Sequence, residues 1–267
     1  MQELRLGQGK QVAERLGLVH VAAPLNARPG SENALFYDPF LFSPDESWTP
    51  YPDGIRHHPA VALLRMVHPG TRETSFRPMF AASCHASYSD PVHREHQARF
   101  YSELAKDQRL LMVQGDWNSW PVWRCPTSLD DVEDRAFAQN RSVLTGEGIF
   151  RPDDNADRLL TYNGLVDVGR HAATTPTLAQ QGADRATTGH GAAKAAQRIP
   201  GRHLPPGGAG PIDRTYASAE LILALLSAAA LSGPRIDDLS DHNPQVTRWS
   251  LDALWQVMNQ QIIPVRH

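Results

Sequence analysis

Four short stretches carry residue types that can do chemistry. Gly115-Asp116-Trp117-Asn118 follows the apolar run Leu110-Leu111-Met112-Val113. A glycine at a strand end lets the backbone turn sharply, and an Asp and an Asn two residues apart can point the same way there. A carboxylate beside an amide oxygen suits a hard cation such as Mg2+ or Ca2+, and the same tetrapeptide also suits a plain polar turn. Ser240-Asp241-His242-Asn243-Pro244 sets an Asp next to a His before a strand. That is the pattern of a metal ligand beside an acid–base group, and equally of a loop with a capped turn. Pro211-Ile212-Asp213-Arg214 holds a charged pair at an element edge, where a surface salt bridge is the default. Ser83-Cys84-His85-Ala86-Ser87 places a His at a strand end. His57-His58 and His93…His96 lack the matching Cys or third His of a zinc site and read as structural.

The elements that must position these residues alternate between short apolar runs and helical patterns, a mixed α/β arrangement. A helix ends over Gln11–Leu18 with Gly17 as its stop, and Leu18–Val21 follows as a strand. Ala34–Tyr37 and Phe40–Phe42 read as strands. Val61–Val67 and Met79–Cys84 read as an antiparallel hairpin, with a turn beginning at His68-Pro69-Gly70-Thr71. A helix over Pro91–Lys106 carries the apolar stripe Ala98, Tyr101 and Leu104, and Pro91 suits its first turn. A second helix over Asp154–Tyr162 stops at Asn163-Gly164. Ala219–Leu231 predicts a strong helix capped by Ser218 and stopped at Gly233-Pro234. The tail predicts a strand over Gln245–Leu251, then a helix through Leu254, Val257 and Met258.

The chain of 267 residues is 41% hydrophobic and 21% charged, the composition of an ordinary globular protein with a sizeable core. A net charge of −3 and a pI near 6.4 give no global basic field, so any polyanion contact must be local. Cys84 and Cys125 are too few for a disulfide scaffold. The best apolar run, Leu221–Leu231, falls short of the roughly 20 residues a membrane span needs. Arg170–Pro211 is rich in Ala, Gly, Thr, Gln and Pro and reads as a flexible basic insertion, with Arg170, Arg185, Lys194, Arg198 and Arg202 against Asp184 alone.

Taken together and in order, the motifs resemble those of the endonuclease/exonuclease/phosphatase superfamily, the deoxyribonuclease I-like proteins. The order here is Gln2-Glu3, Cys84-His85, Gly115-Asp116-Trp117-Asn118, Ile212-Asp213 and Ser240-Asp241-His242, with Arg94…Gln97 on the helix after His85. The resemblance runs from Glu3 to about Leu251. It implies a four-layered α/β sandwich, two mainly antiparallel sheets face to face with helices outside. It implies a divalent-metal-dependent phosphoester hydrolase, with a nucleic-acid phosphodiester as substrate. The alternatives are a small or lipid phosphoester as substrate, or an impaired remnant. Glu3 and Asp241 are the implied ligands of Mg2+, with Mn2+ or Ca2+ as alternatives. Asp116 and Asn118 are implied at the scissile phosphorus, and His242, held by Asp213, at the attacking water or the phosphate. His85 is the implied general acid, paired with Glu32 in Ser31-Glu32-Asn33. A His at 85 rather than a Tyr points to the deoxyribonuclease, sphingomyelinase or phosphatase branches rather than to apurinic-site endonucleases. Trp117 is expected in the core, and Trp120 in a substrate groove.

The family carries a strand with an Asn upstream of its Gln-Glu, whereas Glu3 stands almost first here. The expectation is therefore a single domain over residues 1–267, N-terminally truncated, with a mis-assigned start as the favoured explanation. No signal-peptide pattern opens the chain, which makes the cytoplasm the default location and leaves secretion open to an upstream start. A monomer is expected, with no protein partner implied.

Overall fold

A computed structural model describes residues 4–5, 7–23, 31–47, 58–107, 109–132, 135–178, 211–233, 236 and 242–261. In chain order the elements are β1 (Leu4–Arg5), α1 (Gln8–Leu16), β2 (Val19–Ala22), β3 (Ser31–Glu32), β4 (Ala34–Tyr37), β5 (Phe42–Pro44), β6 (Ala60–Met66) and β7 (Met79–His85). There follow α2 (Pro91–Leu104), β8 (Leu110–Asp116), α3 (Arg135–Asn140), β9 (Ser142–Leu144), β10 (Phe150–Pro152) and α4 (Asn155–Tyr162). The chain continues through β11 (Leu165–Asp167), α5 (Val168–Thr174), β12 (Asp213–Ser218), β13 (Leu225–Ala230), β14 (Gln245–Trp249) and α6 (Leu251–Asn259).

Six strands form the main sheet in the order β11-β12-β8-β7-β6-β5. Only β7 and β8 run parallel, because α2 returns the chain between them; a parallel pair needs such a crossover. The other four pairs are antiparallel, including the predicted β6–β7 hairpin. Among the described residues, four two-stranded ribbons, β1–β3, β2–β4, β9–β10 and β13–β14, complete the strands.

Side chains alternate across the main sheet, so each strand feeds two cores. Leu111 and Val113 join Phe80, Cys84, Ala98, Tyr101, Leu160 and Tyr216 on the side of α2 and α4. Leu110 joins Met66, Ala217, Leu225, Leu254 and Met258 on the side of β13 and α6. Trp117 is fully buried between Tyr101 and Tyr216, with edge-to-face ring centroids at 5.3 and 5.1 Å, and its Nε1 donates to the Arg214 carbonyl. Cys84 is buried in the same core. Burial pushes its thiol up to about 12 and that of half-buried Cys125 up to about 11. A thiol reagent at pH 8 is therefore expected to label Cys84 only on unfolding. Labelling at the rate of a peptide thiol would contradict this packing.

Several sequence expectations need correction. Ala219–Leu231 is not a helix: Leu221–Ala224 is a 3-10 turn and Leu225–Ala230 is strand β13. Alanine favours a helix locally, but pairing with β14 and burial of Leu225, Ala228 and Ala230 override that weak preference. Ser218 ends a strand instead of capping a helix, and its hydroxyl accepts from the Leu111 N–H at 2.9 Å. The segment from Arg170 begins as ordered structure, since α5 runs to Thr174 and a 3-10 turn covers Pro176–Leu178. The rest of the expected insertion, 179–210, lies outside the described residues. Residues 39–41 form a turn, and the strand starts only at Phe42.

Candidate active site

Register does most of the assembly. Across β7, β8 and β12, His85 lies opposite Asp116, and Asp116 lies opposite Asp213. The three residues thus form one row, although 31 and 97 positions separate them along the chain. Two rows behind it share the same sheet face: Ser83, Gln114 and Thr215, then Ala81, Met112 and Ala217. A cleft of about 740 Å³ opens over this face, and His85, Asp116, Asn118, Arg141, Asp213 and His242 line it.

His242 precedes β14, and its Nδ1 lies 2.9 and 3.1 Å from the two carboxylate oxygens of Asp213. That contact fixes the ring's orientation. Asp116 is almost fully buried beside it. Burial, and then the Asp213 carboxylate, push Asp116 up to about 6, against the opposing pull of His242, His85 and Arg141. Asp116, Asp213 and His242 each offer a ligand atom within 4.8 Å of the others. Two carboxylates drawn together repel each other, and oxygen donors are what a hard divalent cation prefers. On donor chemistry the cluster fits such an ion.

Asn118 holds φ at +48°, a left-handed turn that Asn tolerates better than most residues. Its N–H donates to Asp116 Oδ1 at 2.7 Å, which ties the two motif residues together. Its side-chain Nδ2 donates to the Ala86 carbonyl at 3.0 Å, and its Oδ1 accepts from Arg141 Nη2 at 2.6 Å. No sequence motif pointed to Arg141, which stands just after α3 and enters the cleft only through the tertiary fold.

Behind the cleft, Arg94 is completely buried on α2. Its Nε donates to Asp153 at 2.8 Å and its Nη1 to the carbonyls of Ser87, Tyr88 and Asn140. Gln97, one turn on, accepts from the Ser87 N–H. Asp153 in turn binds through its backbone to Arg141 and Trp120. This knot joins the loop after His85, the loop after Asn118 and the segment carrying Arg141.

Other expectations fare differently. Glu3 and Asp241, the implied metal ligands, lie outside the described residues. Glu32 is placed only by its backbone, opposite Leu4, and its side chain also lies outside the description, so its pairing with His85 is not addressed. Arg214 does not form a surface pair with Asp213: it is buried on the opposite sheet face, donating to Ser119 and Pro211. Trp120 is buried against Phe137 and is not among the residues that line the cleft. His93 pairs with its helix-capping neighbour Asp90 at 2.6 Å, a structural role.

No family model matches the sequence, and no curated protein matches it. Solved structures do match in shape. An endonuclease/exonuclease/phosphatase from Bacteroides vulgatus is 14% identical over 92% of this chain and 82% of its own, with a TM-score of 0.57. A 3' phosphatase from Neisseria, bound to a product DNA hairpin, is 14% identical over 93% of this chain and 87% of its own, at 0.55. An AP endonuclease from Archaeoglobus fulgidus is 17% identical over 93% of this chain and 87% of its own, at 0.52. The fold is thus the α/β sandwich of the endonuclease/exonuclease/phosphatase superfamily, the deoxyribonuclease I-like fold.

Proposed function

We propose that this protein is a divalent-metal-dependent phosphoester hydrolase acting on nucleic-acid phosphodiesters. The observation that carries the reading is the row His85, Asp116 and Asp213, with His242 on Asp213 and Asn118 one turn beyond, all around one cleft. The similarity in fold to nucleases and phosphatases, one of them bound to a DNA hairpin, supports it.

In this reading Asp213 holds the His242 ring through Nδ1, and the other ring nitrogen works on the attacking water or the phosphate. Asp116 orients or deprotonates a reacting group, and Asn118 donates an amide hydrogen to a phosphoryl oxygen. His85 donates the proton to the leaving oxygen. Glu3 and Asp241 would hold the ion, as the resemblance implies, and the carboxylate of Asp116 would add an oxygen donor to it. When bound, Mg2+ or Mn2+ polarises phosphoryl oxygens and neutralises their developing charge.

The test is hydrolysis of bis-p-nitrophenyl phosphate and nicking of plasmid DNA. Activity is expected with Mg2+, lost in EDTA, and reduced about 10²- to 10⁴-fold in His242→Ala, the range for removing a general acid or base. Turnover that persists in EDTA would sink the metal-dependent reading. The low pI and net charge of −3 favour a second reading, a phosphatase or phosphodiesterase on a small phosphoester. Salt separates the two. Nucleic-acid affinity falls steeply with ionic strength, while turnover of a small ester does not.

A further inference from the structure

We propose that Arg141 is the positioning residue of the site: it fixes which end of the Asn118 amide faces the substrate. The inference rests on the phosphoester reading above and concerns a residue outside every sequence motif. A carboxamide turned by half a turn keeps its shape but exchanges donor for acceptor. At Asn118 both ends specify the same orientation, because Nδ2 faces the Ala86 carbonyl and Oδ1 faces the Arg141 guanidinium. Turned over, the amide would set two donors against each other at Arg141 and two acceptors at Ala86. Nδ2 has two hydrogens. Ala86 takes one, which leaves the second to act as the donor toward the cleft that Asn118 lines.

Arg141 is built to stay where it is. It is buried, its guanidinium lies 3.8 Å from the centroid of the Phe137 ring, and its backbone bonds to Ala138 on one side and Asp153 on the other. Without this partner only the Ala86 carbonyl orders the amide, its orientation is held less firmly, and the phosphoryl oxygen meets a carbonyl part of the time.

The experiment combines kinetics on bis-p-nitrophenyl phosphate with the NMR signals of the Asn118 side-chain NH2, assigned by their loss in Asn118→Ala. Arg141→Met is expected to lower kcat about 10- to 100-fold, somewhat less than outright loss of a transition-state donor, and to change KM less than about 3-fold. Arg141→Lys, which keeps a donor, recovers part of the rate. The double variant with Asn118→Ala is expected to be no slower than Asn118→Ala alone. Additive losses would overturn the proposal. So would Asn118 NH2 signals that are unchanged in both folded Arg141 variants. The NMR arm decides the proposal even for a protein that hydrolyses nothing, and that outcome would sink the phosphoester reading by itself.

Discussion

Replacing Asp116 by asparagine is expected to stabilise the metal-free protein at pH 7 while removing the hydrolytic activity proposed for it. The cause is the raised position of Asp116 at about 6, set first by burial and then by the Asp213 carboxylate. An unfolded Asp titrates near 4, so between about pH 4 and 6 the folded protein holds a proton the unfolded chain has released. Stability therefore falls as pH rises through that window. Above it the full penalty remains, on the order of 3 kcal/mol for a shift of about two units. Asn118 can still donate to an asparagine oxygen at 116, so the turn survives. Melts in EDTA from pH 4 to 8 should show the wild type losing stability relative to Asp116→Asn across the window. Parallel curves would refute the account. In the reading proposed for the site, hydrolysis falls about 10²- to 10⁴-fold in the same variant. A carboxylate that destabilises the fold would then be one the chemistry uses.

The second large effect is structural. Arg94→Ala is expected to cost about 3–5 kcal/mol, because it leaves the Asp153 carboxylate buried without its cation. It also strips the carbonyls of Ser87, Tyr88 and Asn140 of a donor. For a chain of this size the melting temperature should drop by about 10 °C. Arg94→Lys should recover little, since a single ammonium cannot serve a carboxylate and three carbonyls placed for a planar fork. Asp153→Ala should cost a similar amount. The double variant with Arg94→Ala should cost clearly less than the two losses added, since the first removal already strands the second charge. Full additivity would show that the two residues do not act as a pair. Because the knot also anchors the loop after His85 and the segment of Arg141, folded Arg94 variants should lose the proposed activity too.

Much of the scaffold was legible in local sequence. Pro91, with Ala98, Tyr101 and Leu104 at helical spacing, is enough to write α2, because a first-turn proline and one apolar stripe are local properties. The unbroken apolar run Leu110–Val113 and the glycine at 115 likewise announce a strand and its turn. The failures occur where local preference and tertiary pairing disagree. Leu225–Ala230 looks helical residue by residue, yet hydrogen bonds to β14 and a narrow buried face make it a strand.

The site divides in the same way. The motifs themselves, with His85, Asp116, Asn118, Asp213 and His242 in order, were readable in the chain. So was the Asp213–His242 pair, through the resemblance those motifs carry. What only the tertiary structure decided is how they meet. The parallel register of β7 with β8 and the antiparallel register of β12 align three distant residues in one row, and no local pattern encodes a register between strands so far apart. Arg141 belongs wholly to that second category. It enters the cleft because α3 and the Asp153 knot set its backbone there, long-range contacts that leave no trace in the sequence around it.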